Sequence, residues 1–121
     1  MFLNKCNPMY NTTFVFILII IMLMPKKNTK SFNFKTDKGV IYSVDKIKIP
    51  ARDKAEGLCD SPENDFPKIL IEASLLPRRE MSVTIEEFAH AFFWDKTEKN
   101  VRKFAATLTK YLYSQGWRKG F

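Results

Sequence analysis

The chain has 121 residues, 45% of them hydrophobic and 27% charged, with a formal net charge of +7. This is enough for one small domain with appendages, and the apolar content is too high for wholesale disorder. Two cysteines and four glycines exclude a disulfide framework and leave little backbone for a nucleotide cradle.

The charge is unevenly spread. Residues 1–36 hold five lysines and no acid, residues 37–76 carry a net −2, and residues 77–121 a net +4. A basic tail behind an acidic middle points to an anionic partner, nucleic acid or a membrane surface. The same balance is common in small proteins that have no such partner.

In residues 1–30, Phe14–Met24 is an unbroken apolar run of eleven residues. At about 1.5 Å per residue it covers only half of a hydrocarbon core of roughly 30 Å. Three readings stay open: a short uncleaved anchor, the apolar core of a cleaved signal, and a leader with no targeting role. No small-residue cleavage site follows, and Pro25-Lys26-Lys27 does. If the run inserts, Lys26, Lys27, Lys30 and Lys35 place everything after it in the cytoplasm.

Residues 31–50 read as a hairpin or small meander. Phe32-Asn33-Phe34-Lys35-Thr36 and Val40-Ile41-Tyr42-Ser43-Val44 alternate in polarity around Asp37-Lys38-Gly39, and Ile47-Lys48-Ile49 continues the pattern. Residues 51–65 gather Asp53, Glu56, Asp60, Glu63 and Asp65 without calcium-loop spacing, so they read as a solvated acidic linker.

Residues 66–121 read as three helices. The first covers Pro67–Leu76, with Ile69, Leu70, Ala73 and Leu76 on one face and Pro77 as its stop. The second begins at Thr84, which forms a capping box with Glu87 and a staple between Val83 and Phe88. Its buried stripe is Ile85, Phe88, Ala89 and Phe92. After a turn at Trp94–Thr97, the third helix runs from Glu98 to Ser114 and stops at Gly116 in a Schellman cap. Its inner face is Val101, Phe104, Ala105, Leu108, Tyr111 and Leu112. Its outer face carries Lys99, Arg102, Lys103 and Lys110, and Arg118 and Lys119 emerge beyond it.

The expected fold class is therefore mostly α: a three-helix helix-turn-helix behind a small β-hairpin and an N-terminal hydrophobic segment. In such a fold, Lys99, Arg102, Lys103, Lys110, Arg118 and Lys119 would meet phosphates or base edges of duplex DNA. A plain solvated lysine face is the competing reading. Acids are scarce there, with Glu98 alone inside the helix and none after it. The alternative function is a membrane-anchored protein whose cytoplasmic basic tail contacts anionic lipid or a protein partner.

The segments Val83-Thr84-Ile85-Glu86-Glu87, Asn100-Val101-Arg102-Lys103-Phe104 and Leu112–Lys119 carry a resemblance. They resemble the C-terminal winged-helix segment of virulence-associated E and related phage or plasmid primase–helicases, over about residues 66–121. That resemblance implies a DNA-associated module, a remnant of a mobile-element replication protein, with Lys99, Arg102, Lys103, Arg118 and Lys119 at the basic positions. The chain departs from it by ending where the wing strands should follow and by lacking any G-x-x-x-x-G-K-[ST] phosphate loop.

No catalytic constellation or cofactor motif stands out, so neither enzymatic activity nor a cofactor is expected. His90 is the lone histidine, with no cysteine or second histidine near it in sequence, and is read as no metal ligand.

Overall fold

The computed structural model describes residues 31–120. The apolar run Phe14–Met24 lies outside them. Among the described residues, no helix is long and apolar enough to cross a membrane.

The first strand pair forms where alternation placed it. Strand β1, Phe32–Lys35, pairs antiparallel with β2, Ile41–Ile47, in a register that sets Phe34 opposite Tyr42. Gly39 takes φ +85° in the turn, a left-handed conformation that glycine adopts without strain. The Thr36 hydroxyl accepts from the Val40 amide at 3.2 Å and closes the turn.

The acidic stretch contributes to the sheet. After a short 3-10 turn at Ala51–Asp53, Gly57–Cys59 forms β3. Strand β4, Lys68–Glu72, pairs antiparallel with β3 on one side and parallel with β2 on the other, giving the order β1-β2-β4-β3.

This overturns the first expected helix. Ile69, Leu70, Ala73 and Leu76 fit a helical face by spacing, but Lys-Ile-Leu-Ile-Glu is a short, β-branched apolar run, which periodicity cannot assign. Its parallel pairing with β2 makes it a strand, and Ile69 and Ile71, two residues apart, turn to the one face that the following helix covers. Ile69 and Ile71 accordingly lie fully buried in the core, each worth about 1.5–3 kcal/mol of transfer free energy.

The second expected helix is real but starts earlier. Helix α1 spans Pro77–Phe92, with Leu76 at its N-cap and Pro77 in its first turn. Pro77 starts the helix instead of ending an earlier one, because its missing N–H is an unpaired position of the first turn anyway. Arg78-Arg79-Glu80-Met81 are strong helix formers, so the chain is helical well before Thr84. Thr84 and Glu87 therefore lie mid-helix and form no capping box. Val83 faces the core and Glu87 is buried.

Helix α2, Glu98–Ser114, has the expected bounds. The Thr97 hydroxyl accepts from the Asn100 amide at 3.1 Å as N-cap. At the other end Gly116, φ +91°, donates to the Tyr113 carbonyl at 3.1 Å, and Trp117 donates to that of Leu112 at 3.0 Å. These are the two bonds of a Schellman cap.

The architecture is α+β in layers, not a three-helix bundle. One face of the mixed sheet carries α1, and α2 packs on α1 through Val101, Ala105 and Thr109. Tyr42, Ile69, Ile71, Val83 and Ala91 form the core. The Phe34 ring stacks on Phe88 at 4.6 Å and on Phe92 at 5.8 Å, joining β1 to α1.

Candidate functional site

Two features of the helix pair carry chemistry: the outer surface of α2, and a cavity between β3, α1 and the start of α2.

On α2 the buried stripe turns Lys99, Lys103 and Lys110 outward, and all three are exposed. Spacings of four and seven residues align them on one side of a helix over roughly 16 Å. None of the three forms an ion pair with a described residue.

The other three expected contacts are engaged within the protein. Arg102 turns to Glu86 at 3.8 Å and Glu98 at 3.9 Å. Arg118 lies over the Tyr113 ring at 4.2 Å and donates to the Tyr113 and Trp117 carbonyls. Lys119 is 2.9 Å from Glu80, and this hydrogen bond raises its pKa. The six residues thus divide into a free ridge of three lysines and three tied groups.

The tied end gathers residues that the sequence keeps apart. Arg78, from the start of α1, lies over the same Tyr113 ring at 5.1 Å, and Lys46 on β2 pairs with Glu80 at 2.5 Å. Tyr113 lies one helical turn from Lys110, so the basic surface continues from the ridge onto this cluster. No signal near Lys46 in the sequence announces it, because strand and helix end meet only in the fold.

The cavity has a volume of about 570 Å³, and Gly57, Cys59, Glu86, Glu87, His90 and Glu98 contribute to its wall. Glu86 and His90 share one face of α1 four residues apart, and Glu98 opens α2 after the turn. His90 Nε2 lies 2.8 Å from Glu98 Oε1. One ligand atom from each of Glu86, His90 and Glu98 falls within 4.8 Å of the others, so these three could hold a metal. The expectation that His90 is no metal ligand rests on the lack of a nearby cysteine or second histidine, whereas the i, i+4 spacing of Glu86 and His90 is the signal the sequence offers for this cluster.

Burial governs the protonation of the deeper groups. Desolvation, with the charges of Glu86 and Glu98 adding to it, raises the Glu87 carboxyl to about 7. Burial and then the charge of Glu87 push the Cys59 thiol up to about 12. Cys59 is therefore a protonated thiol that donates to the Asp60 carbonyl at 3.6 Å, not an activated nucleophile.

No family model, curated protein or solved structure matches the chain in comparison.

Proposed function

We propose that this protein binds duplex DNA without acting on it chemically, through the outer basic face of α2. The observation that carries this reading is the ridge of Lys99, Lys103 and Lys110, unpaired, outward and free of neighbouring acid on its stripe. Phosphate contacts need cations that are not already neutralised, and these three meet that requirement.

Recognition by a helix-turn-helix forms no part of the reading, since residues 66–121 contribute a strand and two helices. The DNA association implied by the resemblance to virulence-associated E proteins rests on the ridge alone. Arg118 extends the contact surface, with its guanidinium carbon 4.2 Å from the centroid of the Tyr113 ring. Arg102 and Lys119 contribute less, because binding phosphate would mean leaving Glu86, Glu98 or Glu80.

Three or four phosphates neutralised in this way give a log–log salt slope of about −3 to −4. Each ridge lysine changed to alanine should weaken binding to all sequences alike and reduce the slope by about 1. A fluorescence-anisotropy titration of a 20-bp duplex across salt concentrations tests this, with anionic vesicles as competitor. Direct binding to anionic vesicles with no measurable binding to DNA would favour the membrane-surface reading instead.

A further inference from the structure

We propose that Glu86, His90 and Glu98 form a binding site for one divalent transition-metal ion, of the Zn²⁺ or Co²⁺ class, at the cavity between β3 and the helix pair. The site is independent of the basic ridge and of DNA binding.

Convergence is the first ground. The three ligand atoms lie within 4.8 Å of one another, and His90 Nε2 is already 2.8 Å from Glu98 Oε1. Ligands about 2.1 Å from a tetrahedral ion are roughly 3.4 Å apart, so modest side-chain adjustment closes the set. Glu86 and His90 come from adjacent turns of α1, and Glu98 comes from the first turn of α2.

The surroundings are the second ground. Glu86 is 8% exposed and Glu87 6% exposed, yet neither makes a hydrogen bond within the described residues. Their carboxylate oxygens open on the cavity, where an ion entering from solvent can reach them. Among the described residues, Arg102 is the one cation paired with Glu86, and at 3.8 Å it is beyond hydrogen-bond reach. Its side chain is 67% exposed and free to swing into solvent when an ion enters. Glu87 lines the same cavity and faces the site from the sheet side of α1.

The donor set selects the class of ion. One imidazole with two carboxylates suits Zn²⁺, Co²⁺ and their neighbours, whereas Ca²⁺ and Mg²⁺ favour all-oxygen shells. A bound ion would pin the first turn of α2 to α1, the helix against which α2 packs.

His90 is the only histidine in the chain, so one imidazole signal reports on the site. Full-length protein, labelled with ¹⁵N and kept in nonionic detergent after chelator treatment, is titrated with ZnCl₂. One equivalent should move the His90 Nε2 resonance to its metal-bound position and raise Tm. Glu98→Gln, at a half-exposed position that leaves the fold intact, should weaken Zn²⁺ binding at least tenfold, and His90→Gln should do the same. An imidazole resonance unmoved at tenfold excess Zn²⁺ overturns the proposal. Equal Zn²⁺ affinity in His90→Gln and the unmodified protein overturns it as well.

Discussion

Gly57 on β3 lies so close to Glu87 on α1 that a Cβ at position 57 would come within 2.9 Å of the Glu87 side chain, and within 2.6 Å of Val83 Cγ1. The edge strand can approach the helix only because residue 57 has no side chain. Val83 is part of the core and cannot move aside cheaply. Gly57→Ala should therefore destabilise the protein by about 1–3 kcal/mol by overpacking. Urea denaturation checks this; unchanged stability would mean that β3 is free to shift.

Glu72 should make the fold acid-sensitive. Its carboxylate accepts from the Ser74 hydroxyl at 2.7 Å, the Ser74 amide at 3.0 Å and the Ile49 amide at 2.9 Å. These bonds, that of the Ser74 hydroxyl foremost, lower its pKa from 4.5 to about 2. A carboxyl depressed in the folded state stabilises the protein above its unfolded pKa, and that stability fades as pH falls through the folded value. The stability gap between unmodified protein and Glu72→Gln should thus be full at pH 7 and close between pH 4.5 and about 2. Denaturation series at several pH values would show a constant gap if the carboxylate were not so held.

Thr109 carries the converse defect. Its hydroxyl is buried in the α1–α2 contact with no partner among the described residues. Thr109→Val keeps the shape and removes the unsatisfied oxygen, so stability should rise by about 1 kcal/mol. A lower Tm for the variant would show that the hydroxyl has a partner after all.

Cys59 should resist alkylation in the folded protein. With its thiol at about 12, little thiolate is present near neutrality. In a Cys6→Ser background, N-ethylmaleimide at pH 7.5 should modify native protein at least about 100-fold more slowly than urea-unfolded protein. Similar rates in the two states would contradict the buried, protonated thiol.

Turn and helix-stop signals in the sequence correspond to the structure where only adjacent residues decide it. The β1–β2 turn at Gly39 and the Gly116 stop each depend on a few adjacent residues, and each was legible. Strand β4 was not, because its identity comes from parallel pairing with β2, Ser43 opposite Lys68 through Ile47 opposite Glu72. Nothing within residues 66–76 announces that partner. The Thr84–Glu87 pattern misled for the opposite reason: a motif for starting helices also fits inside one when good helix formers precede it. Strand β3 lay hidden in an acidic stretch, where three residues gain strand structure by pairing with β4. The basic ridge was visible as periodicity, but the ties of Arg102 to Glu86 and of Lys119 to Glu80 required the fold.

The salt dependence of DNA binding, measured with full-length protein and the Lys99→Ala/Lys103→Ala/Lys110→Ala variant, tests the central claim most directly. The account predicts a slope of about −3 to −4 for the unmodified protein, and for the triple variant a slope of about 0 to −1 with affinity already strongly reduced at about 50 mM salt. Undetectable binding of the unmodified protein at about 50 mM salt, or equal affinity and slope for the two proteins, would contradict it.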